Sequence, residues 1–379
     1  MAVKMRIKRV ISIIILAMLV LLSFSNNKVS YGESGCCAKA MIVLDTNSGR
    51  VLAGKNYDER LPMASTTKIV TALTVLYNCK NLDKEIEIDK RAVGVPGTSI
   101  YLKEGEKLTI KELLYGMMLP SGNDSATALA YYVGGSIEKF CNLMNKTAIL
   151  CGANNSSFEN PHGLDSDNHY TTAYDLAKIT AKALENDIFK EIVTTKSTRI
   201  KGSSAGAYRY LKNKNKLLNT LDGCLGVKTG FTNKAGRCLV SACERAGFRT
   251  VCVVLNCGPM FEESEKLFNY VYGNYSYTEL LGEYKIIRNV DVNDGKSESV
   301  KVFTKRGFSY PLLPDEEKML EYRYLLPNSI DAPVKKDEIV GDLEIYLNNH
   351  LLFSEKIYTM DSVKKIGVWS NIKDIASKW

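Results

Sequence analysis

Two residues one helical turn apart, Ser65 and Lys68, have the chemistry of a nucleophile and its base. They lie where a small, polar stretch turns into an apolar-periodic run, so we expect a helix beginning near Ala64 or Ser65 and both side chains on one face. A serine hydroxyl attacks poorly until a base removes its proton. An amine can do so if it is held uncharged, and the positive end of a helix disfavours its ammonium form. The spacing alone is common, and a solvated Ser and Lys on a surface helix is the alternative.

Two further short motifs follow in order along the chain. Ser121-x-Asn123 falls in a turn between predicted helices, and Lys228-Thr229-Gly230 falls in a predicted strand. Each motif is common by chance, but all three together, each on a suitable element, favour an active site over an accident of spacing.

The segments around these motifs resemble a known family. They are residues 64–71 (ASTTKIVT), 120–126 (PSGNDSA), 160–164 (NPHGL) and 226–232 (GVKTGFT). They resemble the penicillin-binding, active-site-serine enzymes, a group that includes β-lactamases, and most of all the low-molecular-weight D-alanyl-D-alanine carboxypeptidases. The resemblance covers roughly residues 37–275 and extends more weakly through the rest of the chain.

The resemblance implies a catalytic role for four side chains. Ser65 would attack the carbonyl between two D-alanines of a peptidoglycan stem peptide, releasing the last one and leaving an acyl-enzyme. Lys68 would be the base, which requires a pKa far below its reference value of about 10.4. Ser121 would relay a proton to the departing amine, and Asn123 would hold Lys68 and the substrate amide.

The third motif and the residue after it, Phe231, would bind the substrate. Lys228 and the Thr229 hydroxyl would hold the free carboxylate, and Gly230 would let the substrate approach the strand edge. The backbone N–H groups of Ser65 and Phe231 would form the oxyanion hole. Water would complete the cycle, and the β-lactam antibiotics would be covalent inhibitors. Transpeptidation to an amine stays open, because the motifs do not determine the acceptor.

The order of elements predicts an α+β fold. Two short strands (40–44 and 50–53), a block of helices (65–77, 108–119, 125–132, 137–148 and 172–183), three strands (225–229, 238–243 and 250–255) and a last helix around 267–271 fit one antiparallel sheet with a helical insertion. We assign residues 37–277 to this catalytic domain, of the β-lactamase/transpeptidase type that the resemblance implies. Residues 283–358 alternate like strands and predict a small β-rich domain with a hairpin at Asn348-Asn349.

Both ends of the chain point to export and to a membrane surface. Lys4, Arg6, Lys8 and Arg9 precede an apolar run at 10–24, which is typical of a secretory signal, here assigned to residues 1–32. An uncleaved signal anchor is the alternative. Residues 363–379 form an amphipathic helix if helical, with both tryptophans on the apolar face and lysines around it. We expect it to lie on the outer face of the cytoplasmic membrane, with packing onto the β-rich domain as the alternative.

Composition excludes several other classes of protein. The net charge of +8 over 379 residues is modest, and no aromatic-interleaved basic motif indicates nucleic acid. The ten cysteines have neither zinc-ligand nor compact disulfide spacing, so no metal or cofactor is expected. Buried, inert thiols are the preferred interpretation, with one or two disulfides left open.

Three other functions compete with the carboxypeptidase. A class A β-lactamase would need a Glu-x-x-Leu-Asn element, and the comparable region 159–165 (ENPHGLD) lacks it. A Ser-His-Asp hydrolase has only His162, His169 and His350 to draw on, none near a nucleophile elbow. A catalytically dead wall-binding module is disfavoured, because all three motifs are intact.

Overall fold

The computed structural model describes residues 36–204 and 206–367. The eight helices of this part are Lys68–Asn78 (α1), Ile110–Met118 (α2), Asn123–Gly134 (α3), Ile137–Leu150 (α4), Ala173–Ala183 (α5), Asp187–Thr194 (α6), Leu217–Thr220 (α7) and Met260–Asn274 (α8). Short 3₁₀ helices lie at Ala64–Thr67, Lys90–Ala92 and Glu316–Met319.

The strands of the described chain form two main sheets and three small ones. They are Ala40–Asp45 (β1), Val51–Lys55 (β2), Glu85–Glu87 (β3), Lys107–Thr109 (β4), Ser197–Lys201 (β5), Tyr208–Lys212 (β6), Cys224–Thr232 (β7), Gly236–Arg245 (β8), Phe248–Leu255 (β9), Ser276–Leu281 (β10), Ile286–Asn293 (β11), Ser299–Thr304 (β12), Phe308–Leu312 (β13), Leu320–Leu325 (β14), Ser329–Asp331 (β15), Ile339–Leu347 (β16) and His350–Thr359 (β17).

A five-stranded antiparallel sheet with the order β2-β1-β9-β8-β7 forms the centre of the first region. Its inner strands are apolar at nearly every position because both faces are covered. Ile42 and its cross-strand partner Val253 belong to the core beneath the helical block, whereas Met41 and its partner Val254 belong to the core beneath α8. Helices thus lie on both faces, which confirms the predicted α+β class.

The start of α2 differs from the sequence expectation in an informative way. Leu108 belongs to β4, and α2 begins only at Ile110, because Thr109 caps it: the Thr109 hydroxyl accepts from the N–H of Glu112 while the Glu112 carboxylate accepts from the N–H of Thr109. Thr172 caps α5 in the same way, since its hydroxyl accepts from the N–H of Asp175 at 3.0 Å. The Asp175 carboxylate, however, is used elsewhere, by the N–H of Asn155 at 2.6 Å.

The second region is a β structure with its own small core. Its six-stranded sheet has the order β14-β16-β17-β12-β11-β15, and β10 pairs with β13 alongside it. The expected hairpin is present between β16 and β17, where Asn348 and Asn349 have φ of 51° and 64°. Asparagine tolerates this left-handed conformation better than most residues, which explains the turn.

Arg50 joins the two regions. It lies just before β2 in the first region, and its guanidinium donates to both carboxylate oxygens of Glu316 and, at 2.6 Å, to the carbonyl of Pro311 in the second. The same guanidinium lies over the rings of Tyr275 and Tyr310. Because the Arg50 guanidinium is planar and has this many partners, it favours one relative orientation of the two regions.

The predicted signal (1–32) and most of the predicted terminal helix lie outside the described residues. The start of that last segment is extended, because Val363 and Lys365 form isolated bridges with Val334 and Gly295. Any helix there therefore begins later than residue 363. Among the described residues, no helix is both long enough and apolar enough to cross a membrane.

Candidate active site

Ser65 lies in a tight turn that leads directly into α1. Ala64, just before it, has φ of 50°, a left-handed conformation that an L-residue adopts at some cost. Neighbouring hydroxyls hold the turn: Thr66 donates to the carbonyl of Met63 at 2.7 Å, and Thr67 donates to that of Ala64 at 2.9 Å. Gly163 packs so closely on Ala64 that a Cβ there would overlap its carbonyl. The turn is therefore supported from two sides.

Lys68 is fully buried, and its amine has three oxygen partners. The Nζ donates to Asn123 Oδ1 at 2.7 Å and to the carbonyl of His162 at 2.8 Å, and it lies 3.0 Å from Ser65 Oγ. A neutral amine has two N–H donors and one lone pair. Because two partners are pure acceptors, they take both donors and leave the lone pair for the Ser65 hydroxyl. This is the geometry of a base poised to accept that proton.

Burial and positive neighbours explain why this amine can be neutral. The pKa of Lys68 is lowered well below 10.5, chiefly by loss of solvent and then by the charges of Lys228 and Lys214, while Asp124 acts in the opposite direction. The sequence argument named the positive end of the helix as a cause. Burial, which the sequence did not show, is the larger one.

Asn123 is oriented by the loop that faces it. Its Nδ2 donates to the carbonyl of Pro96 at 2.6 Å, which leaves Oδ1 turned toward Lys68. The buried Asp124 carboxylate fixes the same loop, accepting from the Ser99 hydroxyl at 2.6 Å and from the N–H of Leu102 at 3.1 Å. Asp124 was not singled out from the sequence, although it follows Asn123 directly.

Ser121 lies in the turn before α3 with φ of 75° and is 3% exposed. Its Oγ has no hydrogen-bond partner among the described residues, and Ser121 lines the same cleft as Ser65. A buried hydroxyl without a partner is uncommon. Its hydrogen-bonding capacity is therefore free for substrate, as the proton-relay role requires.

Strand β7 supplies the other wall. Gly230 faces the Ser65 turn so closely that a Cβ would lie 3.0 Å from both the N of Ser65 and the carbonyl oxygen of Met63. Phe231 is 62% exposed at the cleft. Lys228 is 1% exposed, and its Nζ donates to the carbonyl of Thr229 at 2.9 Å. Burial lowers the pKa of Lys228 to about 7, with a smaller contribution from Lys214.

The cleft between these walls has a volume of about 400 Å³. It contains Ser65, Ser121, Thr229, Gly230 and Phe231 from the predicted set. It also contains five residues that sequence reasoning missed, namely Thr98, Lys214, Arg237, Met260 and Phe261. Counting residues back from the turn of the β7–β8 hairpin could have found Arg237, which pairs with Phe231. Nothing in the spacing of the other four indicates the cleft.

Neither nearby histidine is placed as the base. The backbone carbonyl of His162, rather than its ring, contacts Lys68. The ring of His169 accepts from the N–H of Glu159 through Nδ1 and therefore donates through Nε2 to the Thr67 hydroxyl. Burial lowers the pKa of His162 to about 3 and that of His169 to about 4. Both rings hold the loop, since His162 Nδ1 also accepts from the N–H of Leu164. In the described part of the chain, no group of three metal-binding side chains is present.

Comparison with known families and proteins gives a consistent result over both regions. Residues 27–258 match a family model described as D-alanyl-D-alanine carboxypeptidase, and residues 275–365 match one described as the C-terminal domain of penicillin-binding protein 5. The chain is 32% identical to the carboxypeptidase DacC of Escherichia coli over 89% of this chain and 87% of that protein. It is 29% identical to DacF of Bacillus subtilis over 90% of each chain. Penicillin-binding protein 5 of Haemophilus influenzae superposes with a TM-score of 0.74 at 26% identity, covering 87% of this chain and 98% of that one.

Proposed function

The chain belongs to the D-alanyl-D-alanine carboxypeptidase family, and on that premise we propose how its residues perform the reaction. The enzyme is a serine-type carboxypeptidase that removes the terminal D-alanine from peptidoglycan stem peptides. The observation that carries the mechanism is the Lys68 amine, buried between two carbonyl acceptors and 3.0 Å from Ser65 Oγ.

In acylation, Ser65 Oγ attacks the carbonyl carbon of the bond between the two D-alanines, and its proton passes to Lys68 Nζ. The negative charge that develops on the carbonyl oxygen is held by the backbone N–H groups of Ser65 and Phe231. Such a donor typically contributes ~3 kcal/mol to the transition state. The closeness of Gly230 to the Ser65 turn supports this role, because it sets the residue before Phe231 against the backbone N of Ser65.

Collapse of the tetrahedral intermediate needs a proton on the leaving amine. Ser121 is suited to pass that proton from Lys68, because its Oγ is unpartnered and lines the cleft beside Ser65. D-alanine then departs, and the rest of the peptide remains as an ester on Ser65. A water molecule, deprotonated by the regenerated Lys68 amine, hydrolyses this ester. The similarity to carboxypeptidases over both regions supports water, rather than an amine, as the acceptor.

We test this with penicillin as a covalent probe and a D-Ala-D-Ala peptide as substrate. The intact protein should gain the mass of one penicillin, peptide mapping should place it on Ser65, and the peptide should release free D-alanine. Ser65→Ala should lose both reactions. An adduct on another residue would contradict the mechanism, and rapid penicillin turnover without a stable adduct would indicate a β-lactamase.

The protein's location is a separate proposal. The basic and apolar residues at 4–24 support export, and the amphipathic sequence pattern of 368–379 supports peripheral attachment to the outer face of the cytoplasmic membrane. The test is fractionation of cells expressing the full chain and a chain ending at residue 367. We expect only the full chain with the membranes; equal distribution of the two would contradict attachment by this segment.

A further inference from the structure

Lys228 is poorly placed to hold the substrate carboxylate by itself. Side chains alternate between the two faces of a strand, so Lys228 and Thr229 point to opposite faces of the sheet. The Lys228 amine is buried and already donates to the carbonyl of Thr229. A carboxylate bound by the Thr229 hydroxyl therefore needs a second, accessible cation on the Thr229 face.

Arg237 is on that face. It lies on β8 directly opposite Phe231, and Leu239 lies opposite Thr229, so Arg237 is the diagonal neighbour of Thr229. Diagonal pairs of this kind are about 7–8 Å apart at their Cα atoms, within reach of a long side chain. Arg237 is exposed and lines the cleft.

The electrostatics of the cleft favour an anion at this position. No residue lining the cleft is acidic, and Arg237 and Lys214 are both cations. Among the described residues, Arg237 has no ion pair and no side-chain hydrogen bond, so its five donors are available. Lys214 lies on the other side of the cleft, beside Thr98, where its charge acts on Lys68 and Lys228.

We propose that Arg237, together with the Thr229 hydroxyl, binds the free carboxylate of the substrate's terminal D-alanine. A guanidinium matches a carboxylate with two parallel hydrogen bonds, which an ammonium does not. Arg237 thereby selects peptides that end in a free carboxyl group. This inference rests on the proposed function, because it concerns the same cleft and the same substrate.

The test compares two substrates that differ only in this group, a D-Ala-D-Ala peptide with a free carboxylate and its C-terminal amide. Arg237→Gln should lower kcat/KM for the free acid by about 10- to 100-fold and leave that for the amide within about twofold. Deacylation should not change, because the carboxylate has left with D-alanine by then. Arg237→Lys should recover part of the loss.

Two other variants make the result specific. Lys234→Gln removes a positive charge from the same hairpin, but Lys234 pairs with Asp167 and does not line the cleft. The preference of this variant for the free acid over the amide should therefore stay at the wild-type value. Equal loss for acid and amide in Arg237→Gln, or loss of preference in Lys214→Gln instead, would overturn the proposal. Failure of the proposed function would look different, since wild-type protein would then release neither D-alanine from the acid nor D-alanine amide from the amide.

A second inference comes from an unrelated pair of thiols. Cys37 Sγ and Cys257 Sγ are 3.5 Å apart, although 220 residues separate them in the chain. The backbone holds them together, because the N–H of Lys39 donates to the carbonyls of Leu255 and Asn256. Cys37 is exposed and Cys257 is buried. All ten cysteines are free in this structure.

The geometry points to a Cys37–Cys257 disulfide that forms when a disulfide oxidant is supplied. The exposed Cys37 thiolate attacks the oxidant's disulfide, giving a mixed disulfide and releasing one thiol. Cys257 then loses its proton and attacks the Cys37 sulfur, releasing the second thiol. The two cysteines lose two electrons and two protons, and the oxidant takes up both. The bond would tie the start of the described chain to the loop before Met260 and Phe261.

Oxidised glutathione is the probe, with mass spectrometry and non-reducing peptide mapping as the measurements. Wild-type protein should lose about 2 Da and yield the linked peptides. Cys37→Ser and Cys257→Ser should not form the link, whereas Cys36→Ser, the matched neighbour, should. A Cys36–Cys257 link, or glutathione left on Cys37 with Cys257 still free, would overturn the assignment.

Discussion

The active-site lysines of the first region and a glutamate of the second are buried in different ways. In the second region, Glu355 is 4% exposed and receives the guanidinium of Arg306 at 2.5 Å. In the first, Lys68 and Lys228 are as deeply buried, yet no carboxylate lies within ion-pair distance of either among the described residues. A buried charge with its counter-ion serves structure, whereas a buried amine without one is driven toward neutrality. A general base must be neutral, so the buried lysines without a counter-ion fit a catalytic role and the paired Glu355 fits a structural one.

The largest expected effect comes from restoring a permanent charge at Lys68. Lys68→Arg should lower the rate of penicillin acylation by about 10³-fold or more, because a guanidinium does not give up its proton at working pH. Acylation is followed by intact mass, and circular dichroism checks the fold. Lys212→Arg, an exposed change on β6, should acylate normally. A near-normal rate for Lys68→Arg would mean that the base is elsewhere.

Ser121 comes next. Ser121→Ala should lower kcat/KM for the peptide by about 10²-fold, as expected for loss of a proton relay. It should barely change the free energy of unfolding, because no hydrogen bond within the protein is lost. Ser125→Ala is the matched control, since Ser125 Oγ is also buried without a partner but does not line the cleft. Equal loss of activity in the two variants would argue against a relay.

Breaking the Arg306–Glu355 ion pair should lower stability and leave activity unchanged. Arg306→Met leaves the Glu355 carboxylate buried without its partner and should lower the free energy of unfolding by about 2 kcal/mol, discounted because Arg306 is largely exposed. Urea denaturation measures this. The acylation rate should stay at the wild-type value, and a coupled loss of activity would show that the regions are not independent in function.

The smallest effect concerns Lys228 and pH. A lysine whose pKa falls from 10.5 to about 7 on folding makes wild-type stability rise with pH across that interval, because the unfolded chain binds the extra proton. Lys228→Met should flatten this slope and stabilise the protein at pH 7, part of the gain being offset by the lost hydrogen bond to Thr229.

The same variant changes the activity profile. Removing the charge of Lys228 favours the ammonium form of Lys68, so the pKa of Lys68 should rise. The acidic limb of the acylation rate against pH should move to higher pH. An unchanged limb, measured by stopped-flow acylation across the pH range, would show that Lys228 does not tune the base.

The sequence predicted the parts of the site that lie within single elements. Ser65 and Lys68 share a helical turn, and Thr229, Gly230 and Phe231 follow one another on a strand, so spacing alone carries their relation. The orientation of Asn123 could not be predicted, because Pro96 and Asp124 fix it through a loop. Arg237 belongs to the next strand, and its relation to Thr229 depends on the register of the hairpin. Register and burial are properties of packing, which spacing does not encode.

The fold, like the site, was predicted where a pattern lies within one element and missed where distant contacts decide. Alternation and helical periodicity were enough for the sheet, its helical insertion and the Asn348-Asn349 hairpin. The left-handed backbone of Ala64 had no signal, because that conformation is imposed by contacts with Gly163 and by the hydroxyls of the turn. The Arg50 junction was also missed, since it joins side chains about 260 residues apart in the chain.

The central claim is that Lys68 is a neutral amine when the enzyme acts, and its side-chain nitrogen can be titrated directly. Wild-type protein with ¹⁵N-labelled lysine is followed by NMR against pH, and the Lys68 signal is identified by its absence from Lys68→Arg. We predict a pKa well below the ordinary 10.5, with the neutral form dominant at the pH of fastest acylation. A Lys68 amine that titrates near 10.5 would contradict the account.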